Sequence, residues 1–143
     1  MPVFFCKRLF VIFCALTLVS PVVPAFASSE FLARNKQRVA ATTVDGAMME
    51  VFSTAGASAP GYFCAAADYA IRRLGANWSD RVVVIRPEAQ SATRPEFRSV
   101  LFSVRPWQDD RASTAPFLMS VGVAGVEYTN THSLNRCNLS RFF

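Results

Sequence analysis

Cys64, His132 and Asn135 are the residues of this chain whose types could together perform nucleophilic chemistry. A thiol at the start of a helix is biased toward the thiolate, because the helix dipole favours negative charge there. A histidine further along the chain can act as general base, and a polar neighbour can orient its ring. Asp68, a few residues after Cys64, is a second candidate orienter. Against this stands Cys137. If the chain folds in an oxidising compartment, Cys64 has a partner, and a disulfide removes the nucleophile.

The compartment is read from the first residues. Lys7 and Arg8 precede an apolar run over 9–19 that only Thr17 interrupts. Pro21 and Pro24 end the run, and Ala25-Phe26-Ala27 supplies the small residues that a signal peptidase reads. The run is about 11 residues long, against roughly 20 for a membrane-spanning helix. Residues 1–27 are therefore expected to be a cleavable signal peptide, with the working protein starting at Ser28. Cys14 lies mid-run behind Phe13, which is not the small residue that lipid attachment requires. The expected location is periplasmic or extracellular, with no membrane span after cleavage.

Removing 27 of 143 residues leaves 116, enough for one domain with its own core. Residues 28–37 are polar and mixed and read as a loose leader. Residues 38–143 read as a single domain. Removing Lys7 and Arg8 lowers the formal net charge from +5 to +3. Lys36 is then the only lysine, and the arginines are scattered. No basic cluster resembles a nucleic-acid arm. Cys6 and Cys14 leave with the signal, so Cys64 and Cys137 remain as an even pair and are expected to be bonded to each other.

The elements that must position these residues follow from periodicity. Asp45-Gly46 between two β-prone runs predicts a hairpin with strands over 38–44 and 47–53. The run over 53–61 is a loop of small residues. Pro60 suits a first helical turn and Gly75 a helix end, which predicts a helix over 62–74. Phe63, Ala67, Ala70, Ile71 and Leu74 share its apolar face, and Asp68 and Arg72 are spaced to pair on the other. Residues 81–86 form a β-branched strand closed by Pro87. Residues 97–104 alternate, with Val100, Phe102 and Val104 on one face. One or two further strands are expected over 117–123 and 126–135. The predicted fold is α+β, with one antiparallel sheet of about four to six strands, a single helix packed on one face, and one disulfide.

A Cys at a helix start with a later His and a polar orienter resembles the papain-like arrangement. The segment Cys64-Ala65-Ala66-Ala67-Asp68-Tyr69-Ala70-Ile71 resembles the active-site helix of the periplasmic transglutaminase-like cysteine peptidases. That family places one residue between Cys and Asp, whereas Ala65, Ala66 and Ala67 intervene here, which moves Asp68 to another helical face. This resemblance implies a cysteine hydrolase using Cys64 and His132, with Asn135 or Asp68 in support. At the level of the whole chain, Tyr62, Cys64, Ala66, Asp68 and Tyr69, then Val82, Val83, Val84 and Ile85, then Cys137, are similar to small exported bacterial proteins of unknown function. That likeness implies a fold and a disulfide but no activity.

The remaining motifs exclude more than they assign. His132 is the sole histidine and no thiol cluster accompanies it, so no zinc site is expected. Asp109-Asp110 lacks the spaced carboxylates of a calcium loop. No phosphate loop and no G-x-S-x-G is present. No catalytic residue, cofactor or metal is assigned on the preferred reading. It is an exported, single-disulfide, non-catalytic binding or envelope-interaction module, whose partner would be another envelope protein or an anionic envelope polymer. The cysteine hydrolase is the alternative. A protein acting on another envelope enzyme fits the size but has no motif behind it.

Overall fold

Alternating apolar residues need a partner layer, and here one sheet and one long helix supply it to each other. The computed structural model describes residues 30–43, 46–107 and 118–138. In chain order they form β1 (Phe31–Leu32), β2 (Arg38–Ala41), β3 (Met48–Phe52), α1 (Ala59–Leu74), β4 (Arg81–Gln90), β5 (Arg98–Arg105), β6 (Glu127–Thr129) and α2 (Asn130–Asn135). The sheet is antiparallel throughout, with order β1-β2-β3-β5-β4-β6. β5 lies between β3 and β4, so α1 crosses over one strand in a split β-α-β unit.

Register places one residue set of each strand under α1. Val39 pairs with Val51, Met49 with Phe102, Val51 with Val100, and Val82 with both Val104 and Tyr128. These side chains join Phe63, Ala66, Ala67 and Ala70 of α1 in the core. The small alanines let the helix lie close to the sheet. Phe63 fills the centre, edge-on to Phe102 at 5.2 Å and to Tyr128 at 4.9 Å between ring centroids. Such pairs add about 0.5–1.5 kcal/mol beyond burial.

The helix ends are as sequence chemistry dictates. Ser58 is the N-cap and Pro60 occupies the first turn, where its missing N–H costs no helical bond. Gly75 adopts the left-handed conformation at the C-terminal end, and Ala76 N–H returns to Ala70 O at 3.0 Å. Gly46, in the β2–β3 connection, has φ +71°, and a Cβ there would meet Leu74 Cδ2 at 2.9 Å and Tyr69 Oη at 3.0 Å. Only glycine satisfies both the backbone and the close approach of α1.

Several expectations need correction. Residues from Glu30 to Gln37 are not a loose leader. β1 pairs with β2, Ala33 and Gln37 are buried, and Phe31 packs edge-on to Tyr69 at 5.4 Å. The hairpin strands are shorter than read. They end at Ala41 and resume at Met48, with Thr42 N–H to Met48 O at 2.9 Å closing a longer connection. Asp45 lies outside the described residues. β4 runs through Pro87 to Gln90, because its register with β5 shifts between Val84 and Arg86 and again between Arg86 and Ala89. A proline is tolerated where a bulge already breaks the ladder. Residues 130–135, expected as strand, are helix α2, and of 118–129 only Glu127–Thr129 is strand. Residue 117 and residues 1–27, expected as a signal peptide, lie outside the described residues.

The apolar face of α1 is also wider than expected. Every residue from Gly61 to Ala70 is buried, because the sheet covers one side, α2 covers another, and Phe31 at the sheet edge packs on Tyr69. Ile71, assigned to the core face, is only half-buried and lies outside the core cluster. Ile71→Ala is therefore expected to cost about 1 kcal/mol, against roughly 3–5 kcal/mol for Phe63→Ala. Urea midpoints of the two variants at a common slope check the ranking, and equal losses would contradict it.

Candidate functional site

Cys64 sits in the second turn of α1 with no exposed surface. Cys137 follows α2, and the Cα atoms of the pair are 5.1 Å apart, within disulfide reach. The two sulfurs are bonded across a sequence separation of 73. The bridge joins the main helix to the chain end, and α2 is the element that brings Cys137 there.

α2 is held in place from both ends. Thr129 caps it, its Oγ1 accepting from His132 N–H at 3.2 Å. The loop before β4 supplies acceptors: Trp78 O takes Thr131 N–H at 3.1 Å and Thr131 Oγ1 at 3.0 Å. Asn130 is buried, donating its N–H to Asp80 O and its Nδ2 to Asn77 O, both at 2.8 Å. Asp80 also caps the backbone, accepting Asn77 N–H at 2.8 Å and Trp107 N–H at 3.1 Å.

His132 is on the exposed side of α2, its ring stacked on Tyr128 at 5.2 Å and 14°. Asn135 ends the same short helix and is exposed. Asp68 is buried, but as a structural anchor. Its carboxylate accepts Arg34 N–H at 2.9 Å and is ion-paired with Arg34 Nε at 3.1 Å and Arg72 Nη2 at 3.0 Å. The expected Asp68–Arg72 pair forms, and Arg34 adds the β1–β2 turn to it. Arg72 also covers the Phe31 ring at 4.6 Å. Asp68 thus clips the first strand onto α1, with no exposed carboxylate left to orient a histidine.

Chemically, the bonded sulfur cannot attack or take up a metal in this state. Burial raises the phenol groups of Tyr62, Tyr69 and Tyr128 above their ordinary values, so none is ionised near neutral pH. Among the described residues no group of three or more His, Cys, Asp or Glu could hold a metal ion. Asp109 and Asp110 lie outside the described residues.

Sequence reasoning missed three features. Glu50 of β3 is fully buried on the sheet face away from α1. Its carboxylate accepts from Ser91 Oγ at 2.6 Å, Thr93 Oγ1 at 2.7 Å, Ala92 N–H at 2.9 Å, Thr93 N–H at 3.2 Å and Ser99 Oγ at 3.0 Å, and it pairs with Arg86 at 2.9 Å. Burial alone would raise its pKa, but the bonds from Ser91, Ala92 and Thr93 outweigh that and hold it at about 2. Glu127 of β6 is also buried and pairs with Arg81 at 3.0 Å, while the Arg81 guanidinium lies over Trp107 at 4.9 Å. Glu50 joins β3 to the loop over 91–93, and Glu127 joins β6 to β4. The available signal was a lone carboxylate inside the otherwise apolar run 48–52, and the polar loop 91–94 that could reach it.

The third feature is a cleft of about 230 Å³ at the start of α1. The turn holding Asn35 and Gln37 forms one wall, and the loop over 54–58 with Gly61 forms the other. Asn35 Nδ2 reaches Gly61 O at 2.8 Å and Gln37 Oε1 at 2.7 Å, which fixes the first wall against the helix. The small residues noted over 53–61 are what leave the space open.

Comparison with family models, with curated proteins and with solved structures finds no match for the chain.

Proposed function

We propose that this is an exported, single-disulfide domain that binds rather than catalyses, acting as an envelope-interaction module toward another envelope protein or an anionic envelope polymer. The observation that carries this reading is the state of Cys64. The residue with the best claim to chemistry is buried and bonded to Cys137. A lasting disulfide fits an oxidising compartment, as does the signal-like pattern over 1–27. His132 and Asn135, the proposed base and orienter of the hydrolase alternative, stand on the outside of α2. The polar network around Glu50 is filled by the protein's own donors, so it offers a substrate no free carboxylate.

Export is tested by processing. N-terminal sequencing of protein recovered outside the cytoplasm is expected to begin at Ser28. Recovery of the intact chain in the membrane fraction would contradict the export half of the reading. A His132→Ala variant tests the other half. It is expected to leave any measured binding intact and to lose only the stack on Tyr128, roughly 0.5–1 kcal/mol of stability. Loss of a hydrolytic activity in that variant would favour the hydrolase.

A further inference from the structure

We infer that the cleft at the start of α1 is a binding site for a small oxyanion, a carboxylate or a phosphate group carried by the ligand. The inference deepens the binding reading and rests on it. Two independent observations meet here.

The first is the helix end itself. α1 is 16 residues long, and its first helical bond runs from Tyr62 N–H to Ser58 O at 3.1 Å. The N–H groups of Ala59 and Gly61 precede that bond and have no acceptor within the helix. Helix N-termini of this length usually carry a capping side chain or an acidic residue. Here Ser58 makes no side-chain capping bond and the first turn holds no acid. The positive end of the dipole therefore faces the cleft without an internal counter-charge.

The second is Gln37. It lines the cleft, is only 4% exposed, and its Nε2 has no hydrogen-bond partner. Its Oε1 is already engaged by Asn35 Nδ2 at 2.7 Å, which leaves the amide's donor end as the unsatisfied one. A buried donor without an acceptor is costly to keep, and an arriving oxygen would supply the missing acceptor. The cleft lining adds the hydroxyls of Thr54 and Ser58 and contains no carboxylate. Lys36 stands between Asn35 and Gln37 and is exposed, so the nearest charge on that turn is positive. Donors and charge agree: the site fits an oxygen-rich anion and disfavours a cation. Its size admits one carboxylate or phosphate group with part of what carries it, which suits the end or repeat unit of an anionic polymer.

The test is a ¹H–¹⁵N titration of the exported protein with inorganic phosphate in one arm and acetate in another, against chloride at equal ionic strength. Saturable shifts are expected at the backbone amides of Ala59 and Gly61 and at the side-chain amide of Gln37, in either arm or both. The arm that saturates first tells whether phosphate or carboxylate is the better fit. Gln37→Leu is expected to weaken the anion at least about fivefold. Because Gln37 is buried, Ser58→Asp serves as the decisive variant. Its carboxylate would occupy the free helix donors, so the melting temperature should rise while anion binding falls at least about tenfold. Shifts no larger than those from chloride would overturn the proposal. So would shifts spread over surface arginines that Ser58→Asp leaves unchanged. A silent titration in a protein with no free thiol removes the cleft alone, whereas free thiols would remove the binding reading whatever the titration shows.

Discussion

Replacing both Cys64 and Cys137 with alanine is expected to cost about 4 kcal/mol. The bridge closes a loop with a sequence separation of 73, and the chain-entropy model gives that order of magnitude for a loop of this length. The loss falls on a domain whose total stability is of order 5–15 kcal/mol. It should lower the melting temperature by roughly 15 °C or more. The physical reason lies mainly in the unfolded chain, which gains freedom once α1 and the chain end are no longer tied. The native contacts near the bridge are independently held by Asn130 and Thr131 against the 77–80 loop, so the double variant should fold to the same topology. Thermal melts of the oxidised protein and the double variant check this. A difference below about 1 kcal/mol would mean that the unfolded chain is already constrained or that the bridge does not form.

Glu50→Gln is expected to be the most damaging single polar substitution. The folded carboxylate has a pKa of about 2, against an ordinary value of 4.5. The gap corresponds to about 3 kcal/mol of preference for the charged form in the native state. Because the folded value is depressed, that stabilisation is fully present above about pH 4.5 and is lost as pH falls through the window toward 2. Glutamine would place an amide NH2 among Ser91, Thr93, Ser99 and the 92–93 backbone, all of which donate to this site. Donors would then face a donor, and the β4–β5 hairpin tip would lose its anchor to β3. Other carboxylates titrate in the same range, so the informative quantity is the difference between the two proteins. Wild type should be more stable at pH 7 by about 3 kcal/mol, and the gap should shrink toward pH 3. A gap independent of pH would contradict a charged, hydrogen-bonded Glu50.

What could be read from residues alone was the part governed by local periodicity. Val82, Val84, Val100 and Phe102 alternate, and they do face α1. Pro60 and Gly75 mark the helix as local backbone chemistry requires. The pairing of Cys64 and Cys137 follows from an even count on the expectation of export, and the sulfurs are joined. The rest depended on partners distant in sequence. β1 is only Phe31–Leu32, too short to show alternation, and it is ordered by Arg34 reaching Asp68 from 34 residues away. The run over 130–135 holds Thr, Ser and Asn, which are poor helix formers, yet the Thr129 cap and the 77–80 loop make it helical. Ile71 obeys the helical period but lies where the sheet no longer reaches. Glu50 reads as one carboxylate in a strand, since its partners lie 36 to 49 residues further on: Ser99 comes beside it through the β3–β5 pairing, and Arg86, Ser91, Ala92 and Thr93 through β4 and the loop after it.

The claim that Cys64 holds the fold together and performs no chemistry is tested most directly by counting thiols. The protein, unfolded without reductant, is titrated with a thiol reagent and weighed before and after reduction. No reactive thiol is expected, with a mass rise of about 2 Da on reduction, one hydrogen for each sulfur of the Cys64–Cys137 bridge. Reactive thiols at both positions, with the Cys64 thiol ionising well below the ordinary cysteine range, would contradict it and return His132 to the role of a base.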